Sequence, residues 1–252
     1  MADEGGKRQP KYQSIADDLR GAIEAGDYGP GDRLPGENDL MSRYGVARMT
    51  ARQAIGVLQN EGLTEARKGA GVYVRDFRPL RRQGISRLSA QQWGSGRSIW
   101  SADLGERNLE VDHVEVRENE VPERISPVLD VEPGSAVCVR SRRFVLDGKP
   151  VLLSTSYLPA TLVAGSPILE EDTGPGGTYA RLDDLGHKPV RFREEVRSRM
   201  PTQAEVDALR LSPGTPVVLI CRTAFEEGGK PVEVNEMVLD SASYILEYAF
   251  DA

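Results

Sequence analysis

The sequence predicts an α+β chain of two domains: a small helical domain closed by a basic-tipped hairpin, then a larger antiparallel sheet with flanking helices. Three observations carry this expectation. The 252 residues exceed the about 100–150 of a typical single domain. Apolar residues recur at helical spacing up to about Glu61 and change to strand-like runs from about Glu110, the two periodicities that separate helix from strand. Charge divides in the same way: within a net charge of −7, the chain carries 14 basic and 12 acidic residues as far as Arg82 and 18 against 27 beyond it.

Each element of the first part has its own local cause. Tyr12, Ile15, Ala16, Leu19 and Ile23 form one apolar face, with Asp17, Asp18, Arg20 and Glu24 on the others, so an amphipathic helix is expected. Glycines and prolines in "AGDYGPGDRLPGEN" end it. A short second helix begins near Glu37, with Leu40, Met41 and Tyr44 as its apolar face, and breaks at Gly45. The third helix spans about Ala47 to Glu61 and stops at Gly62. Its apolar stripe is Ala51, Ala54, Ile55 and Leu58, and Arg48, Met49 and Arg52 lie on an adjacent arc. Two short strands in "LTEARKGAGVYVRD" form a hairpin whose tip holds Arg67, Lys68, Gly69 and Gly71.

Three helices and a basic hairpin make the plan of a winged helix-turn-helix. The segment from Tyr12 to Val74, with "GDYGPGDRLPGENDL", "YGVARMTARQAIGVLQNEG" and "GAGVYV" in order, resembles the DNA-binding domain of GntR-type bacterial transcription regulators. The resemblance implies contacts from Arg48, Thr50 and Arg52 at the start of a recognition helix, with Met49 beside them, from Gly36, Glu37 and Asn38 before it, and from Lys68, Gly69 and Gly71 in the wing. Arginine suits this task because its guanidinium donates two parallel hydrogen bonds to O6 and N7 of guanine. The alternative for each arginine alone is a solvated helix face, and Thr50 is equally suited to local capping. The acidic total does not oppose DNA binding. Arg43 to Arg82 holds nine basic and three acidic residues, and exposed charges further away than about 10 Å are screened at 0.1 M salt.

Between the two parts, "RDFRPLRRQGISRLSAQQWGSGRSIWSADLGERN" has no sustained period and reads as a connector. Arg78, Arg81 and Arg82 are expected to be a solvated run within reach of DNA, and Trp93 and Trp100 to pack on the larger domain. The expected boundaries are 10–76 for the DNA-binding domain, 77–109 for the linker and 110–252 for an effector-binding and dimerisation domain.

In that last part "SAVCVRSRRFVL", "KPVLLSTSYLP", "HKPVRFREEVRSRM", "TPVVLICRTAFEE" and "KPVEVNEMVLD" read as strands, and "TYARLDDLG" and "QAEVDALRL" as short helices. An internal repeat aligns "LDVEPGSAVCVRSRRFVLDGKPV" with "LRLSPGTPVVLICRTAFEEGGKPV", which makes Arg142 and Arg222 equivalent and suggests two half-sheets joined edge to edge. These paired segments, "SYLP" and "GGTYARLDDLGHKP", resemble the UTRA effector-binding domain of the HutC subfamily, a fold related to chorismate lyase. The resemblance implies a small, often anionic effector held by Arg140, Arg142, Tyr157, Gly177, Thr178, Tyr179 and Glu233. Arg140 and Arg142 alternate on one strand face, and free amides at Gly177–Tyr179 favour an anion. Pairing of Arg140, Arg142 and Arg143 with Glu195 or Glu233, and a core role for both tyrosines, stand as the alternatives.

The expected function is a sequence-specific, effector-modulated transcriptional regulator, a repressor, acting as a homodimer on a palindromic DNA operator. A constitutive DNA-binding dimer and a lyase-like enzyme are the competing readings. The enzyme reading lacks a nucleophile–base pair or phosphate loop in the sequence. Cys138 and Cys221 sit in apolar runs and His113 and His187 are isolated, so no disulfide, metal, cofactor or catalytic residue is expected. With 39% hydrophobic residues, no run approaches the about 20 needed to cross a bilayer. No secretion signal opens the chain, and a cytoplasmic protein with no membrane partner follows.

Overall fold

A computed structural model of the chain describes residues 9–76, 78–84, 86–96, 99–100, 104 and 107–249. The chain divides into two compact units, Met1–Arg78 with Leu211–Thr215, and Pro79–Arg210 with Pro216–Ala252.

The first unit contains α1 (Lys11–Glu24), α2 (Glu37–Tyr44) and α3 (Arg48–Asn60). The stripes expected from periodicity meet in one core: Ile15, Ala16 and Leu19 of α1, Leu40 of α2, and Ala51, Ala54, Ile55 and Leu58 of α3, closed by Leu34 and Val74. Alanines at 51 and 54, both fully buried, let α3 approach its neighbours closely. Gly45 ends α2 in the left-handed region (φ 58°), where glycine carries no Cβ penalty. The strands β1 (Thr64–Arg67) and β2 (Gly71–Val74) pair antiparallel, with Thr64 opposite Val74.

The second unit begins inside the stretch expected to be a connector. There β3 (Leu80–Gln83) is followed by α4 (Ala90–Gly94), and Leu80, Arg82 and Trp93 are buried. Then come β4 (Leu109–Glu120), α5 (Ser126–Leu129), β5 (Ala136–Leu146), β6 (Lys149–Pro159), α6 (Ala160–Val163) and α7 (Gly177–Asp184). The chain continues through β7 (Arg191–Arg199), α8 (Gln203–Leu209), β8 (Val217–Phe225), β9 (Pro231–Asp240) and β10 (Tyr244–Glu247). Six strands form one sheet in the order β4-β5-β6-β9-β8-β7, antiparallel throughout. Its halves, β4-β5-β6 and β7-β8-β9, meet at β6–β9, and the sequence repeat is this duplication. β3 pairs in parallel with β10.

Strand alternation divides the side chains between two faces. Cys138, Phe144, Leu158, Ile220, Ala224 and Met237 face one side; Val137, Val139, Tyr157 and Val234 face the other. The first face carries α4, α7 and the candidate cavity.

Candidate functional site

In the first unit, the turn between α2 and α3 brings their amino-terminal ends together. The Gly36 N–H donates to Asp39 Oδ2 at 2.9 Å, which sets the start of α2 and presents Glu37 and Asn38. Glu37 accepts from Arg52 Nε at 2.7 Å and from Nη2 at 3.3 Å, and lies 3.7 Å from Arg48 Nε. Arg48 Nη2 also donates to Asn38 Oδ1 at 3.2 Å. The hydrogen bond from Arg52 holds the Glu37 carboxyl below its ordinary range and raises Arg52. Both guanidinium groups remain reachable, with side chains 60% and 61% exposed, and Met49 is exposed between them. Thr50 is half-buried in the first turn, where its N–H donates to the Ala47 carbonyl. Ala47 caps α3 with no side-chain hydrogen bond.

The hairpin tip holds Lys68 and Gly69, both exposed, with Gly69 at φ 75°. Arg67 lies over the Tyr73 ring at 4.3 Å. Gly71 adopts φ 119°, and a Cβ there would fall 2.9 Å from Arg33 Nε. The unit therefore offers an exposed helix start bearing two arginines and a basic loop. These are the chemistries that read guanine edges and hold phosphates.

The second unit encloses a cavity of about 720 Å³, a size ordinary for small-molecule sites. Arg140, Arg142, Gly177, Thr178, Tyr179 and Glu233 all line it. Arg140 is 1% exposed, and its Nη1 donates to the carbonyls of Ile168 and Glu170 and its Nη2 to Glu171 O at 3.0 Å. It ties the loop before α7 to the sheet, and burial lowers its pKa. Arg142 Nη2 donates to Ser156 Oγ at 2.9 Å. Desolvation pushes this guanidinium down to about 10, opposed by the charge of Glu233, so it is cationic at neutral pH. Burial also raises Tyr179 well above the ordinary phenol value.

Tyr157, expected at the effector site, does not line the cavity. It lies on the opposite sheet face, where its hydroxyl accepts from Arg124 Nη2 and donates to Glu236 Oε2, both at 3.2 Å. Ser156, one residue earlier, occupies the cavity side, so strand alternation excludes Tyr157. The acidic partner of Arg143 is neither Glu195 nor Glu233 but Asp112, at 2.7 Å, whereas the charge of Glu233 does act on Arg140 and Arg142. Arg82 is not solvated. It is 1% exposed and bonded to Glu194. In the connector, Arg97 and Ser98 lie outside the described residues.

Sequence reasoning did not assign Arg222, Asn235, Trp100 and Phe144 to this cavity, yet all four line it. Asn235 Nδ2 donates to Ser156 Oγ at 2.8 Å, and its Oδ1 accepts from Ser154 Oγ at 3.0 Å. The signal for Arg222 was the repeat, which makes it the counterpart of Arg142.

A winged helix-turn-helix with outward arginines, in one chain with a sheet domain enclosing a cavity, defines a class: DNA-binding transcription regulators that sense a small molecule. Residues 11–74 match the gntR family of bacterial regulatory proteins, and residues 105–244 match the UTRA domain. An HTH-type transcriptional regulator of Streptomyces coelicolor is 32% identical, covering 96% of this chain and 93% of the relative. The HTH-type transcriptional repressor NagR of Bacillus subtilis is 25% identical over 96% and 95%. A crystal structure of a GntR-family transcriptional regulator superposes with TM-score 0.64 at 29% identity, covering 97% of this chain and 98% of that one. The chain belongs to the GntR family and carries a UTRA effector-binding domain; it is a ligand-modulated DNA-binding transcriptional regulator, not an enzyme. No described helix is long and apolar enough to cross a membrane.

Proposed function

We propose that this regulator is a cytoplasmic repressor that binds a palindromic operator as a homodimer and leaves it when a small anionic effector occupies the UTRA cavity. Residues 10–76 serve as the DNA-binding domain and 110–252 as the effector-binding and dimerisation domain. The observation carrying the DNA half is the placement of Arg48 and Arg52 at an exposed helix start, held in one orientation by Glu37. Two such helices related by two-fold symmetry would enter successive major grooves. The effector half rests on Arg142, which lines the cavity and donates to Ser156 Oγ, and on the amino-terminal residues of α7 in the same lining, where helix polarity favours an anion. The relative named as a repressor supports the direction of control.

The test is fluorescence anisotropy of the full chain on its own promoter and on a scrambled duplex at about 150 mM salt. A specific site is expected to be preferred by about 10³-fold or more; equal affinity would refute sequence-specific regulation. Arg52→Ala is expected to cost about 1–3 kcal/mol on the operator and much less on the scrambled duplex. Equal losses would assign Arg52 to phosphate.

A further inference from the structure

The polar groups left without partners in the cavity define what the effector must carry. We infer, resting on the effector reading above, that the ligand is a carboxylic acid with a hydroxyl or amino group beside its carboxylate and an apolar body, and that Arg222 is its principal anion partner.

Arg222 is wholly buried, yet its Nε and Nη1 have no hydrogen-bond partner among the described residues. The carboxylate nearest to it, Glu194, stands 3.9 Å from Nη1 and is already engaged by Arg82 and Tyr248. A buried guanidinium in this condition is costly unless an anion completes it. The Arg142 Nε and the Thr178 hydroxyl are likewise buried without partners, and both residues line the same cavity. Arg140 is unsuited to the task because its Nη groups are used on backbone carbonyls.

One acceptor is also unpaired. Glu233 is 2% exposed and its Oε2 meets no donor in good hydrogen-bond geometry; its charge acts on Arg142, and the neighbouring Tyr179 hydroxyl, which it also influences, is likewise buried without a geometric partner. A simple anion would leave Glu233 Oε2 unsatisfied, whereas a ligand donating an O–H or N–H beside its carboxylate satisfies both kinds of group. The other acidic lining residues, Glu171 and Asp172, are exposed at the rim.

Apart from Asn235 and Thr173, much of the remaining wall is apolar. Leu109, Val111, Val114 and Phe144 line it together with Ile99 and Trp100, and the Trp100 and Phe144 rings stand 4.5 Å apart. Such a surface is satisfied by hydrocarbon or an aromatic ring and penalises the hydroxyls of a sugar, each of which would be desolvated there without a partner.

The experiment is calorimetric titration of the full chain with 3-phenyllactate, phenylalanine, 3-phenylpropionate and glucosamine 6-phosphate. Phenyllactate or phenylalanine is expected to bind, about fivefold or more tighter than phenylpropionate, which lacks the donor, with the phosphosugar weaker than either. Arg222→Met is expected to weaken binding about 30-fold. Because Arg222 is buried, Thr178→Val is the paired variant: it removes a hydroxyl with no partner in the free protein, so melting temperature is expected to hold while affinity falls about threefold or more. Val114→Asp, on the half-exposed apolar wall, is expected to abolish binding of the aromatic acids. Tighter binding of glucosamine 6-phosphate, equal binding of phenylpropionate, or unchanged affinity in Thr178→Val would each overturn the inference and leave the effector reading standing. Binding by none of the four also overturns it. The effector reading itself falls only if a small-molecule extract of the source cells leaves operator affinity unchanged.

Discussion

Glu194 shows how one residue connects several functions. It accepts from Arg82 Nη1 at 3.1 Å and from the Tyr248 hydroxyl at 2.8 Å, and its side chain is 8% exposed. Burial alone would raise its pKa, but the hydrogen bond and charge of Arg82 outweigh burial and leave the carboxyl below its ordinary range. The stabilisation is therefore complete above the unfolded carboxylate pKa and is lost as pH falls through the lower folded value. Glu194→Gln leaves Arg82 buried without a counter-charge. Its expected cost is about 3–5 kcal/mol, read by urea unfolding at pH 7; a loss near zero would mean that the pair contributes nothing. Glu37 has the opposite character, being partly exposed and set against Arg48 and Arg52. Glu37→Gln is expected to raise affinity for scrambled DNA and steepen its salt dependence, because Arg48 and Arg52 become free to pair with phosphates. An unchanged slope in a salt titration would remove Glu37 from this role.

At the scale of single elements, α8 is held by a capping box. Glu205 Oε2 accepts from the Thr202 N–H at 2.8 Å, the Glu205 N–H donates to Thr202 Oγ1 at 3.4 Å, and Arg199 Nη1 reaches Glu205 at 2.7 Å. The Arg199 hydrogen bond is the main reason the Glu205 carboxyl falls to about 2. Its contribution is present above the ordinary carboxylate value and disappears as pH drops through about 2. Thr202→Ala is expected to cost about 1 kcal/mol, and Glu205→Gln to flatten the dependence of melting temperature on pH between about 5 and 2. The junction of α4 and α7 depends instead on a glycine. Gly176 sits at φ 81°, and a Cβ there would lie 2.5 Å from Ala180 Cβ and 2.6 Å from the Trp93 carbonyl oxygen. Gly176→Ala is expected to cost at least about 1–3 kcal/mol from backbone strain and to weaken ligand binding by displacing α7; an unchanged melting curve would exclude this. The helices of the first unit were legible because their signals are local: apolar spacing, a terminal glycine and a proline-rich break. The elements β3 and α4 were not. They are short, and β3 is stabilised by pairing with β10 near the other end of the chain.

For the whole molecule, the proposed regulation requires the effector to distinguish two states, and a coupling of about 1–3 kcal/mol is typical. Saturating effector is therefore expected to lower operator affinity by about 5–150-fold, and the operator to weaken effector binding by the same factor. Sedimentation of the full chain is expected to give a dimer in both states. A monomer on a single half-site would refute the palindromic reading. The duplicated sheet places Arg142 and Arg222 on corresponding strands, β5 and β8, so equivalent positions of the repeat supply two arginines to one cavity.

The sequence by itself determined the two-domain α+β plan, the third helix with Arg48 and Arg52 outside its apolar stripe, and the equivalence of Arg142 and Arg222. These rest on local periodicities, on chain length and on a sequence repeat, all of which are read without knowing which strands pair. Only the tertiary structure decided which side chains share the cavity. Residues paired across neighbouring strands share a face, and the pairing puts Arg140 opposite Ser156, Ser156 opposite Asn235 and Asn235 opposite Arg222 on one face, with Val139, Tyr157 and Val234 aligned on the other. Which strands are neighbours, and in what register, is set by long-range pairing, and that decides that Tyr157 falls on the far face while Arg222 and Asn235 enter the cavity. Burial was also decided there: Arg82 reads as one more solvated arginine until β10 and Glu194 close over it.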